Sequence, residues 1–324
     1  VPRLGCDDAC SWWLSVARST LSSGFLRSSK EPYDEIRTPC LLCRISFRNF
    51  RAPSRLRQAL ESERTMHSVE SSRSTADVHE LTLSDDRYPD RLRNLSDPPP
   101  LLFVRGDVDL LAREQLIAVV GTREPTVFGT SAAEELTGAL ADGGWGIVSG
   151  LAKGIDTIAH RTALEHGAPT IAVMGGGLDR IYPAENKGLA ARIVDQGGAL
   201  ISEQPFGEQA RPQHLVARDR LQSGLSVAVI VAQSGLRSGT MHTVRFAATQ
   251  GRPLFCPVPH NENTASEGLR VLLERPAREL CSILPAWRSA KALCERLGDQ
   301  PLARPVTREG LEEFVQAVGR RGER

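Results

Sequence analysis

The chain has 324 residues, a formal net charge of +1, and 40% hydrophobic and 24% charged residues. That length admits one large α/β domain with appendages or two domains, and the near-neutral balance confines any nucleic-acid contact to a local cluster of Arg and Lys. No apolar run approaches the roughly 18–20 residues of a membrane helix, and the N-terminus lacks signal-peptide order, so a cytoplasmic location is the default expectation.

Residues 1–79 are rich in Ser and Arg and show little sustained periodicity, which predicts a poorly ordered or spurious extension. The first methionine is Met66, and translation is expected to start near it, with 1–65 lying upstream. Cys40 and Cys43 have the spacing of half a zinc site, with Cys6 and Cys10 as partners. Their flanks carry no knuckle-like glycines and the two pairs are spaced differently, so neither metal nor cofactor is expected.

The texture changes near His79. Leu81-Thr82-Leu83 reads as a short strand, and Asp86-Arg87-Tyr88-Pro89 with Leu92 and Leu95 as a short helix broken by Asp97-Pro98-Pro99-Pro100. Residues 101–106 follow as a strand and turn. Strands are then predicted over 116–120, 146–149, 170–174, 199–203, 227–232 and 253–256, and helices over 126–142, 154–166, 187–196, 214–225 and 240–250. Short apolar strands rich in Val and Ile, separated by helices, indicate a mostly parallel sheet covered on both faces. The expected fold is α/β, a Rossmann-like doubly wound domain over 80–285. Beyond it come helical stretches at 269–273 and 287–297 and a Pro-containing linker at 299–306. A last helix presents Leu311, Phe314, Val315 and Val318 on one face, with Gly319 as a stop and Arg320-Arg321 at its negative end. Residues 286–324 are thus expected to form a helical tail.

Two strands end in glycine turns that open helices, which places both turns at the carboxyl edge of the sheet, where ligands bind. The first is Gly121-Thr122-Arg123, whose arginine offers a fork of donors to phosphate. It is not a GxGxxG sequence, so no dinucleotide site is implied. The second runs Ser149-Gly150-Leu151-Ala152-Lys153-Gly154-Ile155-Asp156 into a helix carrying His160. Asp156 and His160 share a helix face, but no nucleophile accompanies them, and both read as crevice framework. Gly175-Gly176-Gly177 after the third strand would let a backbone approach a ligand. Tyr182 to Asn186 then leads to Lys187, a cation at a helix start, where an anionic partner would offset the unfavourable dipole. Arg211, Arg218, Arg220 and His214 cluster about the 214–225 helix, and Arg237 sits in the turn Ser234-Gly235-Leu236-Arg237-Ser238-Gly239-Thr240 after the fifth core strand. With Arg123, Lys153 and Lys187 they form a candidate phosphate-binding patch.

These motifs resemble the DNA-processing protein A family (DprA, also called Smf) in order and spacing: Gly121-Thr122-Arg123, the run 149–160, the run 175–186, Ser202-Glu203-Gln204-Pro205, the 218–226 stretch, and Ser238-Gly239-Thr240 with Thr243. The resemblance covers about 80–285. It implies an extended Rossmann-like domain that dimerises, binds single-stranded DNA, and loads RecA recombinase onto DNA covered by single-strand binding protein during transformation. It also implies DNA contacts at Arg123 and Lys187. Tyr182 and Glu203 are read as further crevice framework, and no enzymatic activity is expected. Three departures stand out. The family usually has Arg-Asn-Arg-Ile-Ile-Ala-Gly-Leu where this chain has Arg218-Asp219-Arg220-Leu221-Gln222-Ser223-Gly224-Leu225, so Asp219 adds a negative charge between two arginines. The fifth core strand ends Val231-Ala232-Gln233 in place of Val-Glu-Ala, and His260 follows Pro259 where Gly is usual. The family's N-terminal hairpin module and C-terminal winged helix are not recognisable.

Two rival readings remain open from the sequence. One is a nucleotide-sensing module of the same superfamily, coupled to defence or stress signalling. The other is a nucleotide hydrolase like the lysine-decarboxylase-like (LOG) enzymes, whose Pro-Gly-Gly-x-Gly-Thr-x-x-Glu motif supplies a catalytic acid. Here Thr243 stands at that acid's position, which argues against hydrolysis.

Overall fold

The structure, a computed structural model, describes residues 78–260 and 263–311. Cys6, Cys10, Cys40, Cys43, the expected start at Met66 and the helical face of Phe314, Val315 and Val318 lie outside these residues.

The chain opens with β1 (Val78–Thr82), a one-turn helix α1 (Asp90–Arg93) and β2 (Leu101–Gly106). The alternating core follows as β3 (Leu116–Gly121), α2 (Val127–Asp142), β4 (Gly146–Ser149), α3 (Ile155–Glu165) and β5 (Thr170–Met174). It continues through α4 (Lys187–Asp195), β6 (Ala199–Ser202), α5 (Pro212–Leu225), β7 (Ala228–Gln233), α6 (Thr240–Thr249) and β8 (Leu254–Cys256). Helices α7 (Glu267–Glu274), α8 (Leu280–Ile283) and α9 (Lys291–Leu297) and a last strand β9 (Ala303–Pro305) close the described chain.

Among the described residues the strands form one sheet of nine, in the order β1-β2-β6-β5-β4-β3-β7-β8-β9. All neighbours from β6 to β9 pair in parallel, while β1 and β2 join one edge antiparallel. Both faces are buried, as parallel strands require. Leu116, Ala118 and Val120 of β3 enter one hydrophobic cluster with Val229 and Val231 of β7 and residues of α5 and α6. Ile117 and Val119, with Ala228, Ile230 and Ala232, enter the other beneath α2 and α3. The period-2 alternation of each strand thus supplies two cores rather than one core and a wet face.

Residues 286–311 are not an appended tail. Ala303 pairs with Leu254, so β9 extends the sheet inside the segment expected to be a linker. Trp287 is fully buried and its indole N–H donates to the Met241 carbonyl at 3.0 Å. Three residues with two exposed side chains give no readable alternation, and the prolines at 301 and 305 suit only an edge strand, which is what β9 is among the described residues.

Strand order reverses between β3 and β7: β4, β5 and β6 lie on one side of β3, β8 on the other side of β7. A doubly wound sheet opens a crevice at that switch point, outside the carboxyl ends of the strands.

Candidate nucleic-acid interface

A crevice of about 970 Å³ lies at this point, between the turn after β3 and the turn after β7. Gly121, Thr122 and Arg123 form one lip and residues 235–240 the other, with Asp156, Arg218, Asp219, Gln222 and Thr243 below and Tyr182, Leu215 and Val216 at the side.

The glycine turns are built to touch each other. A Cβ on Gly154 would stand 2.4 Å from the Thr122 carbonyl oxygen, and Gly154 also has φ +78°. A Cβ on Gly121 would meet Ile155 at 2.5 Å. The Ile155 N–H donates to Thr122 O at 3.1 Å and the Thr122 N–H to Gln233 O at 2.8 Å, tying three strand ends into one rim. Arg123 projects from that rim, exposed, with no hydrogen bond or ion pair among the described residues.

Arg237 on the opposite lip is likewise exposed and unpaired among the described residues. Ser238 and Thr240 beside it bond to each other through their hydroxyls at 2.9 Å, at the start of α6 after Gly239. Lys187 is exposed at the first position of α4 without a partner among the described residues, on the same edge of the sheet but outside the crevice lining. Lys153 is exposed but engaged: its ammonium meets Glu185 at 2.5 Å. Glu124 and Glu267 also line the crevice, so its field is not uniformly positive.

Other residues expected at the phosphate are used inside the protein. The Ser149 hydroxyl is buried and donates to the Val119 carbonyl at 2.7 Å. Asn186 is buried and donates to Leu151 O and Thr157 Oγ1, both at 2.8 Å, clamping the loop in which Leu151 adopts φ +56°. Gly175, Gly176 and Gly177 are covered by the chain itself: Cβ atoms there would meet Leu215 at 2.8 Å, Ala210 N at 2.8 Å and Pro205 O at 2.5 Å. The triple glycine admits protein backbone, not a ligand. Gly150 makes room for Arg218, whose Nη1 would sit 1.9 Å from its Cβ.

The two α5 arginines need the same correction. Arg218 is 6% exposed; its Nη1 donates to the carbonyls of Gly150 and Val173, and its Nε lies 3.0 Å from Asp219 Oδ1. Arg220 is bidentate to Glu203, both contacts at 2.5 Å, and also donates to Asp97 O at 3.0 Å. They brace the sheet ends, and only Arg218 Nη2 lacks an acceptor among the described residues.

Asp156 and His160 share a helix but not a bond. Asp156 accepts from the N–H groups of Gly150 and Ala152 at 3.1 and 3.3 Å, and its burial raises its carboxyl above the usual range. His160 is fully buried, bonds Thr170 Oγ1 through Nδ1 at 2.7 Å, and is held neutral by desolvation and by Arg218, with its pKa down to about 3. Tyr182, expected as framework, is instead 50% exposed at the crevice mouth, where an aromatic face can stack on a base.

Asp219 emerges as the residue whose role sequence reasoning did not define. It is 8% exposed on the crevice floor, and burial pushes its carboxyl up to about 7, against the pull of Arg218 and with the charge of Asp156 adding to the rise. Its signal in the sequence was an acid set between two arginines.

A model of the DNA recombination-mediator protein A family matches residues 79–289. The chain belongs to this family. DNA processing protein DprA of Bacillus subtilis is 39% identical over 178 residues, 55% of this chain and 60% of that protein. Protein Smf of Escherichia coli is 39% identical over 199 residues, 61% of this chain and 53% of that protein, so the match spans little more than half of these relatives. DprA of Streptococcus pneumoniae is 40% identical over 202 residues, 62% of this chain and 71% of that protein. Its X-ray structure superposes with a TM-score of 0.58 at 36% identity, covering 70% of this chain and 78% of that one. A structure of DNA processing protein A from Helicobacter pylori, described for its single-stranded DNA binding mode, has a TM-score of 0.59 at 27% identity and covers 76% of this chain and 98% of that one. The family resemblance read from the motifs is therefore established, as is the Rossmann-like α/β fold.

Proposed function

We propose that the carboxyl edge of the sheet grips the backbone of single-stranded DNA, and that the protein works by binding, without a covalent step. The observation that carries this is the pair of exposed arginines lining the switch-point crevice, Arg123 and Arg237, neither in a hydrogen bond or salt bridge among the described residues, with Lys187 beyond. On a chain of net charge +1, cations left unneutralised at one edge are where a polyanion gains from counterion release. Tyr182 adds a stacking surface at the same mouth. The Helicobacter pylori relative described as binding single-stranded DNA supports the same reading. Thr243, 2% exposed where the hydrolases carry their acid, fits a non-catalytic crevice.

On this reading the protein protects incoming strands and, as a homodimer, helps load RecA onto DNA covered by single-strand binding protein. Oligo-dT titration across a salt series tests the grip. Affinity should fall steeply with salt, and Arg123→Ala should weaken binding and reduce the log–log slope by about 0.7, one single-strand phosphate contact. Tight binding of a nucleoside monophosphate, with oligo-dT affinity indifferent to Arg123→Ala, would instead favour a nucleotide sensor. RecA filament assembly on coated DNA, with and without the protein, tests the loading role; no acceleration would overturn it.

A further inference from the structure

Below the arginine lips, the crevice continues into a floor that phosphate binding does not use. Asp219 and Gln222 stand one helical turn apart on α5, 8% and 2% exposed, and both line the cavity. Gln222 Nε2 donates to Asp219 Oδ1 at 3.2 Å, which turns its amide carbonyl away, and that oxygen has no donor among the described residues. Beside them Arg218 keeps Nη2 without an acceptor among the described residues. Leu215, Val216 and Tyr182 supply flat or apolar wall, and about 970 Å³ is ample for one nucleotide. Acceptors from Asp219 and Gln222 at the base, with the Arg218 guanidinium and the Thr243 hydroxyl that bonds Asp219 alongside, offer a complement to a nucleobase edge.

We propose that this floor recognises the base of one nucleotide in the bound strand, and selects guanine. Guanine presents two adjacent donors, N1–H and the N2 amino group, beside the O6 acceptor. Asp219 and the Gln222 carbonyl accept from the donors, and Arg218 Nη2 faces the acceptor. Thymine offers a single imino donor between two carbonyls, and above pH 7, where Asp219 is ionised, a carbonyl set against its carboxylate is repelled. Adenine and cytosine carry one amino group each and fall between. The proposal rests on the strand-binding reading of the same crevice and adds base selectivity to it.

The test is fluorescence anisotropy with the full chain and three strands of equal length: oligo-dT, the same strand with alternate thymines replaced by guanine, and the same with hypoxanthine, which lacks the N2 amino group. The guanine strand should bind about tenfold tighter than oligo-dT, the scale of one bidentate base contact, and the hypoxanthine strand should lose most of that gain. Asp219→Asn, close in shape and uncharged, should abolish the affinity difference between the guanine strand and oligo-dT; a thermal melt confirms that the variant is folded. Gln222→Leu gives an independent second variant with the same expected direction. Equal affinity for the guanine and thymine strands, or a guanine preference that survives Asp219→Asn, overturns base selection while leaving the phosphate grip standing. Failure of every strand to bind overturns both.

Discussion

Arg123 and Arg218 approach the same crevice from opposite sides and have opposite fates. Arg123 leaves a turn pinned by backbone hydrogen bonds and ends in solvent. Arg218 rises from α5, is buried, and directs most of its donors to carbonyls at the ends of β4 and β5 and to Asp219. One is held by the fold so that it can bind something else; the other gives its Nε and Nη1 donors to the fold. The same contrast separates Lys187 from Asn186, adjacent in sequence, the first exposed at a helix start and the second buried against the 151–152 loop. A cation is available to a phosphate only when the protein has not already neutralised it.

The contrast breaks most visibly if an inner arginine is removed. Arg220→Ala would leave Glu203, 16% exposed at its side chain, without its bidentate partner. Truncating one member of such a pair costs about 3–5 kcal/mol. Urea denaturation should show a loss of that order, and Arg218→Ala should behave similarly. If either variant keeps native stability and loses only oligonucleotide affinity, the assignment of these residues to framework is wrong. Arg123→Ala should do the reverse, with an unchanged unfolding midpoint and weakened oligo-dT binding. Lys187→Ala should follow it with a smaller loss, because Lys187 lies outside the crevice.

Much of this was legible beforehand. Core strands and helices are readable to within a residue or two because both faces of each strand are apolar and three of the helices, α3, α5 and α6, start at a glycine or proline. The phosphate-facing turn at Arg123 was readable because glycine, threonine and arginine directly follow a buried strand. What could not be read was direction. Gly175-Gly176-Gly177 signals close approach, but the sequence does not say whether a ligand or the chain at 205–215 approaches. Arg218, Arg220, Ser149 and Asn186 are polar residues at the right edge, and only tertiary contacts show that their donors are engaged. β9 was missed because three residues are too few for a period, and Tyr182 because exposure at a cavity mouth is a property of the assembled sheet.

Acidity sharpens the comparison within the buried set. His160 ionises near 6.5 when unfolded and about 3 when folded, because burial and Arg218 disfavour the cation. The unfolded chain therefore binds the extra proton first, and the stability that His160 confers is full above pH 6.5 and lost as pH falls towards 3. Asp219 runs the other way. Its carboxyl rises from 3.8 to about 7 on folding, so the folded chain binds the extra proton, and that stability is full below pH 3.8 and lost as pH rises through 7. Asp219→Asn should accordingly stabilise the protein most at and above pH 7, with the gain shrinking towards pH 4. Thermal melts of both proteins from pH 4 to 8 read this directly, and a pH-independent difference would mean that Asp219 is not desolvated as described.

Lys153 sits between the two classes and provides the finest test. It is exposed like Arg123, yet it is paired like Arg218, with Glu185 as its partner. Both side chains are more than half accessible, so the pair should contribute nothing measurable to the thermal midpoint. Its effect should appear in binding instead. Glu185→Gln removes the competing carboxylate, frees the ammonium to meet a phosphate, and should tighten oligo-dT binding slightly while steepening the salt dependence. Lys153→Ala in the Glu185→Gln background should cancel that gain. If Glu185→Gln changes neither affinity nor slope, the strand does not reach the loop between Gly150 and Gly154, and the grip is confined to the lips formed by Arg123 and Arg237.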